Sequence, residues 1–125
     1  MYTIRKLIIA VPLVCFACAE KTAELSGKFL SKDDQGIRKM LVQLTIDGKT
    51  QTVDTVASCA TLPPSEFATY DIPKDAVSAV GGWRGGVGGD YFYIRQENEQ
   101  VILYYGWQAE GQEGNGFHWK EKQRF

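Results

Sequence analysis

The stretch MLVQLTIDGKTQTVDTV, residues 40–56, carries the strongest statement about fold in this chain. Asp47-Gly48 lies between two runs in which apolar and polar residues alternate. A two-residue hairpin turn needs positive φ at both central positions, and Asp-Gly supplies it at low cost. The spacing predicts antiparallel strands over residues 40–46 and 49–56. With that turn Leu44 faces Gln51 and Val42 faces Val53. Val42, Leu44, Ile46 and Val53 then share the side expected to face a core, while Gln43, Thr45, Thr50 and Thr52 line a solvated side.

The same reading extends outward in both directions. Residues 90–96 and 101–107 form a second expected hairpin across Glu97, Asn98, Glu99 and Gln100. Its pairing sets Phe92 and Ile94 opposite Tyr105 and Leu103, with Trp107 extending that face. The reverse face carries Tyr91, Tyr93, Arg95, Ile102 and Tyr104, too aromatic for a simply solvated surface, so this hairpin calls for cover on both sides. Phe29 and Leu30 suggest a first strand, followed by a turn through Lys32, Asp33, Asp34, Gln35 and Gly36. Pro63 and Pro64 end the ladder after Cys59, because proline donates no backbone hydrogen bond. Residues 67–72 suggest a strand, and residues 73–80 one or two helical turns begun by Pro73 and closed by Gly81. In the last strand Phe117 and Trp119 should face inward. His118, Lys120, Lys122 and Arg124 then form an outward basic row of the kind that guards an edge strand. The expected fold is all-β: one small antiparallel β-sandwich or barrel with at most one short helix.

Length and composition agree with a single small domain. The chain has 125 residues, 44% hydrophobic and 23% charged, with a formal net charge of -1, which excludes a disordered chain and the basic stripe of a nucleic-acid binder. At the front, Arg5 and Lys6 precede an apolar run over residues 7–17 that is interrupted only by Pro12. This is the pattern of a secretory signal peptide, too short for the roughly 20 residues of a spanning helix. Ala17, Cys18 and Ala19 form a small-x-small cleavage pattern that would release a soluble periplasmic or secreted chain. Cys15, Phe16, Ala17 and Cys18 resemble a relaxed bacterial lipobox, and the resemblance implies cleavage before Cys18 and acylation of that residue, giving a membrane anchor in the bacterial envelope. The domain plan is then a signal peptide over 1–17, a tether over 18–27 and a β domain over 28–125. Loss of Arg5 and Lys6 leaves 12 basic against 15 acidic residues, or 12 minus 15 = -3, which argues against attraction to anionic lipid or nucleic acid.

Little in the chain points to catalysis. Metal binding is poorly supported by one histidine and no paired cysteines, and neither Asp33 and Asp34 nor Glu110, Glu113 and Asn115 has the spacing of a calcium loop. Six of the nine residues from Gly81 to Gly89 are glycine. No Lys-Ser or Lys-Thr pair closes that run, so it reads as a connection or a bulged strand where a backbone or ligand comes close, not as a phosphate loop. Cys59 reads as a small buried hydrophobe. A hydrolase would need His118 brought to Ser58, Ser65 or Ser78. The function that remains is recognition without cofactor. The candidate ligand-binding residues are Trp83, Arg84, Tyr91, Tyr93, Arg95, Tyr104 and His118, which supply flat rings and donors suited to a glycan, a peptide or an envelope protein. An inhibitor or accessory subunit of an envelope enzyme, and a weak hydrolase centred on His118, are the alternatives.

Overall fold

A computed structural model describes residues 21–84, 88–109 and 117–125. The chain forms a β-sandwich of two antiparallel sheets, not a closed barrel. The first sheet has the order β1-β2-β3, with β1 Ala23–Lys32, β2 Arg38–Ile46 and β3 Lys49–Val56. The second has the order β4-β5-β6-β7-β8, with β4 Ala60–Thr61, β5 Ser78–Arg84, β6 Gly88–Glu97, β7 Gln100–Ala109 and β8 His118–Arg124.

The Asp47-Gly48 turn forms as expected, with φ of 50° and 84°. Its Asp47 carboxylate also accepts the Thr22 N–H at 3.0 Å, tying the start of the described chain to the turn. Leu44 pairs with Gln51, but Val42 pairs with Asp54 instead of Val53. A one-residue bulge at Val53 shifts the register, a local insertion that strict alternation cannot reveal. Val42 and Leu44 are fully buried, and Val53 packs partly buried against the same core.

β1 begins earlier than the tether boundary at residue 27 allowed. Leu25, the one bulky apolar residue of a polar stretch, is buried, and its N–H donates to Ser78 Oγ at 3.0 Å. Phe29 and Leu30, which suggested this strand, are exposed. The helix is displaced too. It is a 3-10 helix over Pro64–Tyr70, with Pro64 in its first turn and Asp71 closing it at φ 57°. Proline at the start of a helix loses no bonded N–H there, and that advantage serves Pro64 and not Pro73. Residues 67–72 therefore form no strand. Residues 78–80 belong to β5, where Val80 is fully buried between strands.

In the second hairpin Phe92 pairs with Tyr105 and Ile94 with Leu103, the expected register. Glu97 and Gln100 pair as well, so the turn is Asn98-Glu99, with Asn98 at φ 57°. Phe92, Ile94, Leu103 and Val101 close on Leu25, Val42 and Leu44 of the other sheet to make the main core. Across the sandwich, Lys122 of β8 meets Asp54 of β3 at 3.6 Å. Lys122 is the bulged residue of β8, where Tyr104 pairs with Glu121 and Leu103 with Gln123. The two edge strands are thus joined through two bulges.

β1 and β5 run the same way. Leu25 meets Ser78, and two residues on Gly27 meets Cys59, which precedes Ala60, the partner of Gly81. Phe29 and the end of β5 therefore lie at one end of the sandwich. Lys21, Gln96 and Phe125 lie at the other, where Gln96 Nε2 donates to the Lys21 carbonyl and Phe125 pairs with Val101.

Candidate functional site

The aromatic residues of the second sheet divide by face, and the division separates core from site. On its outer face, Tyr91 and Tyr93 are buried at 4% and 5% exposure, in a second cluster with Leu62, Phe67, Ile72 and Ala79. The 3-10 helix and the segment after it supply the cover that this hairpin required. Tyr93 stacks on Tyr104 at 4.7 Å between ring centroids and meets Trp119 edge-on at 4.6 Å. Trp119 Nε1 donates to the Tyr70 carbonyl at 3.1 Å, pinning the helix to the last strand. Tyr91 packs against Tyr70 and Phe117. Tyr91 and Tyr93, singled out as ligand contacts, are therefore core residues, and Tyr104 is half-buried in the same stack.

Glycine makes this second core possible. A Cβ at Gly81 would stand 2.2 Å from Tyr91 Cδ2, and one at Gly106 would stand 2.5 Å from the Trp119 indole. The close approach expected in the glycine-rich run is thus made by the chain's own Tyr91 ring. Residues 85–87 of that run lie outside the described residues, as does the side chain of Arg84. The loop residues 110–116 and the whole of residues 1–20, Cys18 included, also lie outside them.

Arg95 serves the scaffold. Its guanidinium meets Asp75 at 3.1 Å and Glu97 at 3.6 Å, and the hydrogen bond and charge of Asp75 raise its pKa. Together with the Val77 N–H donated to the Ile94 carbonyl at 2.8 Å, this contact straps the connection before β5 onto β6.

Burial pushes the Tyr93 hydroxyl up to about 12, with Tyr104 adding to the effect. The folded state therefore holds this proton more tightly than the unfolded chain, whose tyrosines titrate near 10. The stability so gained is complete below pH 10 and is lost as pH rises through 12. Two units correspond to about 2–3 kcal/mol. Thermal melts should show the wild type losing that much more stability between pH 9 and 12 than Tyr93→Phe, and parallel curves would refute it.

The inner face is different at its open end. Gly82, Asp90, Trp107 and His118 are neighbours in one row across β5, β6, β7 and β8. Side chains alternate along a strand, so this row lies on the same side as Val80, Phe92 and Tyr105, beyond the part that the first sheet covers. Trp107 is 41% exposed, and its indole stacks on the exposed His118 ring at 4.5 Å and 27°. The Tyr105 hydroxyl donates to Asp90 Oδ1 at 2.6 Å. Lys120, the partner of Tyr105 on the edge strand, is exposed. His118, Lys120 and Lys122 thus lie on the sandwich-facing side, and the outward basic row expected of them does not form. Trp83, 43% exposed, is at the same end but on the opposite face, so the two tryptophans do not make one platform. Of the expected binding residues whose side chains are described, His118 alone joins this rim. Asp90, Tyr105 and Trp107 were missed as contacts, although the Phe92–Tyr105 register already placed Trp107 past the core.

No Ser–His pair is assembled. Ser78 is engaged with Leu25, and Ser58 packs over Gly82, three strand spacings or roughly 14 Å from His118. Ser65 belongs to the helix that covers the outer face. Burial raises the Cys59 thiol to about 11, so at neutral pH it stays protonated and is a poor nucleophile. Among the described residues, no three His, Cys, Asp or Glu side chains gather as metal ligands, and no helix is long and apolar enough to cross a membrane.

No known protein family, curated protein or solved structure matches this chain. What the rim can do follows from its chemistry: stacked indole and imidazole rings, a phenol bonded to a carboxylate and an ammonium group, all within one strand row of each other.

Proposed function

We propose that this chain is an exported, lipid-anchored envelope protein that works by binding, with the rim of Asp90, Tyr105, Trp107, His118 and Lys120 as its recognition surface. The observation that carries the reading is the Trp107–His118 stack left open to solvent beside the bonded Tyr105–Asp90 pair, at the uncovered end of the inner face. Exposed flat rings beside paired polar groups suit the apolar face and hydroxyl edge of a sugar, or a peptide with an aromatic or polar side chain. The anchor rests on the lipobox resemblance at Cys18, where acylation would hold the domain at a membrane surface.

One experiment with two arms tests the proposal in a bacterial host. Radiolabelled palmitate is expected to mark the wild type and not Cys18→Ala. Protein recovered from the envelope is expected to bind a member of an immobilised panel of glycans and peptides. Trp107→Ala combined with His118→Ala should weaken that binding about tenfold or more while the melting temperature falls by no more than a few degrees. Unprocessed, unlabelled chain in the cytosol removes the export reading. Binding that survives both rim substitutions removes the rim. A blank panel together with a protein partner lost in the rim variant favours the accessory-subunit reading.

A further inference from the structure

The far end of the β1–β2 hairpin has properties that neither core nor rim explains. Phe29, Leu30 and Ile37 are 53%, 52% and 55% exposed, the three largest values among the exposed bulky hydrophobic residues. Around them stand Lys28, Lys32, Arg38 and Lys39, all exposed. Residues 28–39 carry four basic and two acidic side chains, 4 minus 2 = +2, inside a chain whose net charge is -1.

The tip is a built structure. Asp33 Oδ1 accepts the N–H groups of Gln35 and Ile37, each at 2.9 Å. Gly36 closes the turn at φ 84° with its N–H on the Asp33 carbonyl, and Asp33 N–H returns to the Ile37 carbonyl. The Asp33 carboxylate thus holds Ile37 in place, and the four basic side chains outnumber the two acidic ones at the surface.

We infer that this tip docks on an anionic lipid surface, with Phe29, Leu30 and Ile37 entering the headgroup boundary and Lys28, Lys32, Arg38 and Lys39 meeting lipid phosphates. Charge complementarity selects an anionic occupant. Geometry favours a fluid one. Phe29 is a paired strand residue, Leu30 is the bulged residue between the Phe29–Met40 and Ser31–Lys39 pairs, and Ile37 lies in the turn. These three settings do not form one flat face. A protein surface would reach one side of such a tip, whereas a lipid interface closes around it. The combination of apolar side chains with flanking basic ones is also what interfacial binding requires, because neither alone gives durable attachment. The overall negative charge argued against anionic lipid, but the sign at the point of contact is set by the side chains within about 10 Å of it. Since β1 is an edge strand running from the anchored end to this tip, a molecule held through its N-terminal end would reach the same bilayer by lying along β1. The inference does not depend on the rim or on acylation of Cys18.

Hydrogen–deuterium exchange on the full chain tests it, because the tip is read separately from the leader. Vesicles of phosphatidylglycerol should slow exchange of residues 28–39 in the wild type. Pure phosphatidylcholine vesicles should not, and two net positive charges correspond to roughly 30-fold weaker binding of the tip there. The triple substitution Phe29→Ser, Leu30→Ser, Ile37→Ser should abolish the slowing while leaving exchange in β6 and β7 unchanged, and so should changing Lys28, Lys32, Arg38 and Lys39 together to Gln. Equal slowing by both lipids, no slowing by either, or slowing by polyglutamate or DNA in place of vesicles would overturn the inference.

Discussion

Phe92→Ala is expected to lower the free energy of unfolding by about 3–5 kcal/mol, a large fraction of the whole stability of a domain this size. Phe92 is fully buried at the centre of the main core, and its ring lies 5.2 Å from that of Tyr105, its partner on β7. Leu25, Val42 and Leu44 approach from the other sheet. The strands on either side are fixed by their ladders, so little can collapse into the space the ring would leave, and both the transfer and the cavity costs are felt. Trp107→Ala is the contrasting variant. Trp107 is large but half-exposed at the rim, and its removal should cost under about 1 kcal/mol. Urea melts of both variants measure the difference. Equal losses would mean that the two sheets do not close on Phe92.

Gly81→Ala is expected to cost about 2–3 kcal/mol, unusual for a change of one methyl group. The new Cβ would stand 2.2 Å from Tyr91 Cδ2 and 2.8 Å from Cγ, so the ring must move. It has nowhere to go cheaply, with Tyr70 at 4.9 Å and Phe117 at 5.1 Å between centroids. The cost therefore belongs to the pair and not to glycine's place in a strand. In a Tyr91→Ala background, which removes Cγ and the ring, the Gly81→Ala penalty should fall by at least half, a coupling that a double-mutant cycle reads directly. Strictly additive losses would show that the backbone at Gly81, and not the Tyr91 ring, sets the penalty.

Pairings set by neighbours and turns are legible in the residue order itself. Asp47-Gly48 declares its hairpin, and the two-residue period of 90–107 gives the pairs Phe92–Tyr105 and Ile94–Leu103. Misreadings arise where one residue breaks the period or where a rule has several places to act. The bulge at Val53 moves Val42 onto Asp54. Pro63, Pro64 and Pro73 all carry a helix-start signal, and packing of Phe67 under the sheet chooses Pro64. Leu25 is hidden in a polar stretch because one apolar residue makes no pattern, yet it is a core residue.

The candidate site is less legible than the fold. Tyr91, Tyr93 and Tyr104 offer the richest aromatic face, but whether such a face is ligand surface or core depends on what covers it. The cover comes from Leu62, Phe67 and Ile72, five residues apart, a spacing that matches neither the strand nor the helix period. Trp107 and His118, which no described segment covers, become the rim.

Alternation, turn chemistry and the N-terminal apolar run are properties of adjacent residues, so the amino-acid order alone determined that this chain would be made of hairpins and pointed to export. Which side of the aromatic hairpin is dry was decided only in three dimensions. Burial is a relation between segments distant along the chain, and the strands specify their own pairing without specifying what will lie across them.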